Sequence, residues 1–158
     1  MKYELRKAAL KLDDASIERI LRENTHGVLA LCDIDGMPYA VPVNYCYDNG
    51  AVYFHSAKAG HKLEAIAENP NCSFCVVGKE KIISEEYNAV FESAIAFGQI
   101  HMIPDDSPEK KDALELIARK YGPDDDAMTA GVLERNLHKV TMIKLDIQYW
   151  SGKRSRIQ

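Results

Sequence analysis

The sequence lacks several features that would assign the protein to a class at once. No apolar stretch approaches the roughly 20 residues that a helix needs to cross a bilayer. The first residues, MKYELRKAALKLDDAS, contain no apolar core of the kind found in signal peptides. The net charge is −4, so the chain lacks the excess of positive charge that is typical of nucleic-acid-binding proteins. We therefore expect a cytoplasmic protein that binds neither membranes nor nucleic acid.

The common catalytic motifs are also missing. The sequence contains no G-x-x-x-x-G-K-[ST] or G-x-G-x-x-G phosphate loop, no G-x-S-x-G nucleophile turn and no H-E-x-x-H metal motif. The paired carboxylates at Glu85, Glu86, Asp105 and Asp106 lie in polar loop contexts, where solvated side chains are the usual case. Nucleotide triphosphate chemistry and zinc hydrolysis are therefore not indicated.

Cysteine is scarce, and its positions favour a structural role. Cys32, Cys46, Cys72 and Cys75 each lie in an apolar, strand-like run, as expected for reduced cysteines that pack as small hydrophobic residues. The pair at 72 and 75 has the C-x-x-C spacing of a redox or zinc half-site. In a strand, however, a separation of three residues puts the two thiols on opposite faces, and no second half-site completes a zinc site.

The hydrophobic pattern predicts a single domain, residues 1–158, that is mainly β with peripheral helices. Its 46% hydrophobic residues suffice for one core. The Asp-Asn-Gly sequence at 48–50 predicts a tight hairpin, because Asn and Gly tolerate positive φ. We expect strands at 27–34, 39–47, 51–57, 72–77, 86–103 and 140–152, with a bulge or kink at Gly98. We expect helices at 14–24, 60–68, 105–121 and 124–137. Asp13 or Asp14 would cap the first helix, and the third would have Ser107 as N-cap and Pro108 at its first position.

The stretch YFHSAKAGHKL, residues 53–63, places cations at the start of a helix. Lys58, His61 and Lys62 stand at the end where the helix dipole favours anions. One interpretation is a binding site for a phosphate or carboxylate, to which Ser56 adds a hydroxyl donor. The alternative is a solvated basic turn in which Lys62 pairs with Glu64 or Glu68.

Two neighbouring strands carry residues that are unusual for strands. Pro42 interrupts the apolar run YAVPVNYCY and removes a backbone donor, so it either marks an edge strand or lies where a flat ligand replaces a strand partner. Asn44 is expected on the same face as Pro42 and could hydrogen-bond such a ligand. His55, on the adjacent strand, is either a core histidine or a ligand contact.

These features occur together in a known family. The run THGVLALCDIDGMPYAVPVNYCYDNGAVYFHSAKAGHKLEAIAENPNCSFCVV resembles the flavin-binding split-barrel proteins related to pyridoxamine 5'-phosphate oxidase, and it is most similar to the 5-nitroimidazole antibiotic resistance branch. The resemblance continues through FESAIAFGQ, ALELIARKY and YWSGK. It implies a six-stranded antiparallel Greek-key split barrel that forms a homodimer, with FMN at the subunit interface.

The resemblance also assigns roles to individual residues. Phe54 and His55 would lie near the flavin ring and ribityl chain, and His55 would act as the catalytic proton donor. Glu92 is acidic where relatives tend to be basic. The implied function is an FMN-dependent oxidoreductase that reduces a small-molecule substrate such as a nitroaromatic; the alternative is a non-catalytic binding protein for FMN or another flat cofactor such as haem. The cofactor-binding residues implied by the resemblance are Val41, Pro42, Val43, Asn44, Phe54, His55, Ser56, His61, Lys62, Ser93 and Trp150.

Overall fold

The fold is built on one antiparallel sheet with helices around it. A computed structural model describes residues 5–155. The strands are β1 (His26–Cys32), β2 (Pro38–Asn44), β3 (Cys46–Asp48), β4 (Ala51–Ser56), β5 (Asn71–Ile83), β6 (Asn88–Met102) and β7 (Thr141–Arg154), and the helices are α1 (Asp14–Glu23), α2 (His61–Glu68), α3 (Pro108–Tyr121) and α4 (Asp126–Asn136).

The sheet curls because its two edge strands are consecutive in the chain. The strand order is β2-β1-β5-β6-β7-β4-β3, so β2 and β3 lie at opposite edges. Only Tyr45 separates them in sequence, which forces the two edges together. Six strands were predicted and seven are observed, because the run predicted as one strand over 39–47 is interrupted at Tyr45. The barrel stays open at this break.

Tyr121, at the end of α3, fixes the break in place. Its hydroxyl accepts a hydrogen bond from the Tyr45 N–H at 3.0 Å and donates toward the carbonyl oxygens of Tyr45 and Thr25. The backbone polar groups that lose their ladder partners at this point are therefore satisfied by a side chain, which makes the interruption stable.

The interior of the curled sheet forms the main core. Alternate residues of the strands point inward, among them Leu29, Phe54 and Phe74, which are fully buried. α2 contributes Leu63, Ala65 and Ile66 to the same core. The alternation explains how a short strand such as β4 presents one face to the core and the other to helix α3.

Helices α3 and α4 cover part of the outer face of the sheet. Leu114, Ile117 and Leu133 form a second core with Met142 and Cys46. The helix starts follow local rules, since the side chains of Ser107 and Asp125 accept hydrogen bonds from the backbone at the starts of α3 and α4. Within residues 5–155, no helix is long and apolar enough to cross a membrane.

The strand irregularity predicted at Gly98 is present. The pairing of β6 with β7 shifts register between Phe97 and Gly98, so that Gln148 is the extra residue on β7. A Cβ atom on Gly98 would lie 1.9 Å from the Asp146 carbonyl oxygen, so only glycine permits this approach of the two backbones.

The two cysteines of the C-x-x-C sequence lie on opposite faces of β5, as predicted. Cys72 packs against the interior core, whereas Cys75 is paired in register with Val28 of β1 and Ile95 of β6 on the outer face. Both thiols are free, and burial raises the pKa of the Cys72 thiol to about 12. Two thiols on opposite faces of one strand cannot serve together as a redox or zinc half-site.

Candidate functional site

The opening in the barrel is bounded by two strand edges without ladder partners. Among residues 5–155, β2 pairs only with β1, and β3 pairs with β4 only as far as Tyr53. Residues 54–56 of β4 therefore have a partner on one side only, in β7. Strands β2 and β4 contact each other although no ladder joins them. We call the gap between Val41–Asn44 and Phe54–Ser56 the seam.

The side chains of β2 alternate at the seam. Val41 and Val43 point inward and pack against the core, while Pro42 and Asn44 are exposed on the same outer face, as predicted. Pro42 thus lies on an edge strand, which agrees with the simpler of its two interpretations. The amide of Asn44 donates a hydrogen bond to the Thr25 carbonyl oxygen at 3.1 Å, which fixes its orientation.

The side chains of β4 also alternate between the core and the outer face. The Phe54 side chain is fully buried in the core, with its ring 5.2 Å from that of Phe74, so only its backbone is available at the seam. This departs from the expectation that Phe54 contacts a flavin ring, and the reason is the strict alternation of the strand. His55 points to the outer face, and Ser56 is half-buried at the strand end.

The start of α2 is open and carries an unpaired cation. Its N-cap, Gly60, has φ 140°, and no side chain within the described part of the chain caps the helix. Lys62 makes no ion pair with a carboxylate of residues 5–155, so the predicted alternative of pairing with Glu64 or Glu68 does not occur. Burial lowers the pKa of Lys62. An uncapped helix start beside a partly desolvated ammonium is a favourable position for an anion.

The side chain of His61 is directed to other partners. Its Nε2 lies 3.1 Å from a carboxylate oxygen of Asp33, its Nδ1 lies 3.7 Å from Glu64, and its ring contacts the ring of Tyr39 edge-on. The expectation that the imidazole of His61 holds a phosphate is therefore not supported by its orientation. What His61 offers an anion is the backbone N–H of the first helical turn.

Lys58 is engaged in a different ion pair. Its ammonium lies 2.6 Å from Asp105, which also contacts the ammonium of the buried Lys110 at 2.8 Å. These two cations hold the pKa of Asp105 at about 2. Asp105 lies in a loop and its side chain is 68% exposed, as predicted, and it also joins the turn before α2 to α3. Of the two lysines near the start of α2, Lys62 is the one without a carboxylate partner among residues 5–155.

His55 connects the seam with a cavity behind it. The imidazole lies at the mouth of a cavity of about 360 Å³ between α3 and α4. Although the side chain remains open to solvent there, the surrounding protein atoms lower its pKa, and the charge of Lys62 lowers it further. Near neutral pH the ring is therefore mostly uncharged and able to donate or accept a hydrogen bond.

Two of the predicted site residues, Ser93 and Trp150, lie far from Ser56 within one chain. Thr141 of β7 is paired with Ser56, and Trp150 lies nine residues further along the same strand, a distance of roughly 30 Å. The Trp150 indole donates a hydrogen bond to Asp14 at 2.8 Å. Ser93 is paired with Lys153, further still from Ser56 along β7, on the outer face of the sheet. One chain brings together the seam, His55, Ser56 and Lys62, but not Ser93 or Trp150.

Glu92, the neighbour of Ser93, has a structural partner. Its two carboxylate oxygens accept hydrogen bonds from the Arg19 guanidinium at 2.9 and 2.8 Å, which fastens α1 to β6. The acidic residue that departs from the pattern of the nitroimidazole-resistance relatives is therefore explained by a contact within this chain.

The fold and the seam together define a split-barrel protein: a curled antiparallel sheet, open at one side, with peripheral helices. A family model described as pyridoxamine 5'-phosphate oxidase matches residues 13–154. The chain therefore belongs to that family. The search of curated proteins found no match.

Solved structures support this assignment. A candidate 5-nitroimidazole antibiotic resistance protein from Bacteroides thetaiotaomicron has 27% identity and a TM-score of 0.77, over 92% of this chain and 86% of that chain. An FAD-binding protein from Mesorhizobium loti has 22% identity and a TM-score of 0.65, over 92% and 97%. An FAD and haem binding protein from Mycobacterium smegmatis has 23% identity and a TM-score of 0.76, over 92% and 72%. The last two likenesses concern the fold.

Sequence reasoning missed three features of the site. These are the cavity behind His55, the Asp105 link to Lys58, and the Tyr121 hydroxyl that holds the break in the barrel. Each depends on contacts between residues far apart in the chain, such as Tyr121 with Tyr45. The acidic residues before α3 are visible in the sequence, but nothing local indicates that one of them faces Lys58.

Proposed function

We propose that the protein binds FMN along the seam and uses it to pass electrons to a small acceptor. The observation that carries the proposal is that, among residues 5–155, an unpaired strand edge, an uncapped helix start and an ammonium without a counter-ion occur at one place. Relatives of the same fold are flavin-binding proteins, as their descriptions state. The residues present fit such a cofactor at both of its ends.

The phosphate end fits the start of α2. Lys62 and the first backbone N–H groups of the helix would hold the phosphate, with the Ser56 hydroxyl as a further donor. A dianionic group relieves two unfavourable features at once, the partly desolvated ammonium and the unsatisfied N–H groups. Lys58 takes no part, because Asp105 already neutralises it.

The ring end fits the backbone of Val41–Asn44. A flat heteroaromatic ring carries donors and acceptors at its edge, and an unpaired strand edge offers the complementary backbone groups. Pro42 lacks an N–H, so it leaves no unmet donor where the apolar part of a ring would lie. The exposed outer face of β2 at Pro42 and Asn44 is available to such a ligand.

The remaining cofactor contacts would come from a second copy of the chain. Ser93 and Trp150 lie too far from Lys62 to reach the same ligand within one subunit. The outer face of the sheet beyond β2 is apolar and partly uncovered: Val28 is 41% exposed and Val77 is 55% exposed. A homodimer packed through this face would cover it and supply Ser93 from the partner subunit.

The chemistry would be a two-electron reduction with proton delivery from the protein. Bound flavin supplies the redox capacity, and the residues around it position it and exclude water. For a nitroaromatic acceptor, two electrons and two protons convert the nitro group to a nitroso group and release one water molecule. His55 would relay a proton from solvent to the acceptor at an imidazole nitrogen. Its lowered pKa leaves the ring mostly uncharged between transfers and makes the protonated ring a stronger acid once it forms.

The test is purification followed by identification of whatever copurifies. We expect a yellow protein whose extracted cofactor has the mass and spectrum of FMN, or an apoprotein that takes up FMN in preference to FAD. A colourless protein that binds no flavin on reconstitution would refute the proposal. Chemically reduced, desalted protein should then be reoxidised by a nitroaromatic compound in stoichiometric amount under anaerobic conditions.

A second candidate is a binding protein without turnover. It is favoured by the similarity to a protein that holds both FAD and haem, and by the small number of ionisable groups near the seam, of which His55 and Lys62 are the principal ones. The two candidates differ in one measurement. Repeated anaerobic turnover of a nitroaromatic or a quinone with a flavin reductant supports the enzyme, whereas flavin binding without reoxidation by any such acceptor supports the binding protein.

A further inference from the structure

The cavity behind His55 has a shape and position that the seam does not explain. It lies between α3 and α4, and its walls are formed mainly by Ile117 and Ala118 on one helix and by Met128, Thr129 and Val132 on the other, with His55 at its mouth. Its volume of about 360 Å³ is near the lower end of the range for small-molecule sites. The cavity is therefore large enough for a compound of one or two rings.

The lining of this cavity contains no lysine, arginine, aspartate or glutamate among the described residues. Its polar side chains are largely committed elsewhere: the Tyr121 hydroxyl holds the backbone of Tyr45, and the Asn136 amide donates to the Val132 carbonyl at 2.9 Å. The Thr129 hydroxyl, in contrast, makes no hydrogen bond with another group of residues 5–155, although the residue is 6% exposed. It can donate to or accept from a ligand.

A neighbouring cavity differs from this one in the charge of its lining. A second cavity, of about 820 Å³, also lies between α3 and α4 and shares Thr129 with the smaller one, but it is lined by Lys110, Arg119, Asp126 and other charged side chains. Charged ligands have favourable partners there. Moving a charge into the smaller cavity would remove it from water without compensation, which is costly.

We propose that the smaller cavity between α3 and α4, the one with His55 in its lining, binds a small uncharged ring compound, held by its apolar walls and hydrogen-bonded to Thr129, with one edge at His55. The proposal rests on the proposed function in one respect, namely that the bound compound is the electron acceptor. The mouth at His55 would place the reducible group of the acceptor toward the seam, and the apolar part would stay in the cavity. The Met128 thioether, 55% exposed at the rim, suits contact with an aromatic ring.

The experiment measures binding of nitrobenzene to the full-length protein, before and after FMN is added. Amide chemical shifts in the wild type should change most at Ala118, Thr129 and Val132. The cavity-filling change Val132→Phe should weaken nitrobenzene binding at least tenfold. The matched control Ala127→Phe adds the same side chain to an exposed position of α4 outside the cavity lining and should leave the affinity within twofold. Thr129→Val, which removes the hydroxyl at nearly constant volume, should weaken binding about two- to tenfold.

The outcomes separate this inference from the proposed function. Nitrobenzene binding in the cavity without any flavin uptake would support the cavity and refute the proposed function. Flavin uptake combined with shift changes confined to other surfaces, or with no nitrobenzene binding at all, would overturn the inference and leave the proposed function standing. Equal losses in Val132→Phe and Ala127→Phe would also overturn it. If Val132→Phe fails to fold, the wild-type shift map and Thr129→Val still test whether nitrobenzene binds in the cavity.

Discussion

Replacing Lys62 with methionine tests the phosphate end of the proposed FMN site. Methionine keeps the length and most of the apolar stem of lysine but removes the charge. Lys62 has no carboxylate partner in the described chain, and its ammonium is partly desolvated, so the replacement breaks no internal ion pair. The folded protein should therefore be retained, and any change in cofactor affinity should come from the missing cation.

The expected loss follows from the strength of a hydrogen bond to a charged group, about 1.5–3 kcal/mol. This corresponds to a roughly 10- to 150-fold weaker affinity for FMN. Riboflavin has the same ring and ribityl chain but no phosphate, so its affinity should change by less than about threefold. Titration of each flavin with protein, followed by the change in flavin fluorescence, gives both constants under the same conditions.

Lys58→Met is the matched control, because Lys58 lies on the same turn but is neutralised by Asp105 at 2.6 Å. Its replacement should leave FMN affinity nearly unchanged. Equal losses for FMN and riboflavin in Lys62→Met would mean that Lys62 supports the ring or the fold rather than the phosphate. A larger effect of Lys58→Met than of Lys62→Met would refute the assignment outright.

Three further predictions follow from other parts of the structure. Because Lys62 helps lower the pKa of His55, an NMR titration should show this pKa rising in Lys62→Met while staying below 6.5, and an unchanged His55 titration would contradict the coupling. In the wild type, the unfolded chain takes up a proton at His55 before the folded chain does as the pH falls below 6.5. The contribution of His55 to stability is therefore lost as the pH falls from 6.5 through the lowered pKa of the folded protein. Gly98→Ala places a Cβ 1.9 Å from a carbonyl oxygen and should lower the stability by about 1–3 kcal/mol, or the Tm by about 2–12 °C. Gly131→Ala meets only the flexible end of a side chain and should stabilise α4 by about 0.5–1 kcal/mol. Thermal unfolding that gives the two Tm values in the opposite order would contradict this reasoning. Ile95→Arg, on the outer sheet face, should convert a dimer to monomers in light scattering and weaken FMN binding with it, and a variant that stays dimeric would argue against that face as the interface.

The elements that depend on local chemistry could be predicted from the sequence. The start of α3 was predicted from Ser107 and Pro108, and Ser107 accepts the capping hydrogen bond from Glu109 as expected. The hairpin at 48–50 was predicted from Asn49 and Gly50, whose φ angles of 44° and 80° are those of a tight turn. These features are set by neighbours in the chain, so no knowledge of the tertiary fold was needed.

The site was only partly predictable, because its electrostatics depend on distant residues. The three cations near the start of α2 look equivalent in the sequence. The structure separates them: Lys58 faces Asp105, His61 faces Asp33, and Lys62 faces neither. Which cation stays available to a ligand is thus decided by where the loops before α3 and after β1 lie. No spacing rule within residues 58–62 contains that information.

The interruption at Tyr45 shows how the two interpretations of Pro42 are connected. An edge strand with open backbone groups is a risk for unwanted pairing with other chains, and natural proteins protect such edges. In this fold the edge at β2 exists because the chain breaks at Tyr45, and Tyr121 stabilises the break. Proline at position 42 protects the edge, since it removes one donor from it. The same break leaves β4 without a partner at residues 54–56, so the structural role of Pro42 and the opening for a flat ligand have a common origin. An edge position for Pro42 is therefore not an argument against ligand binding; it is the condition that makes the seam available.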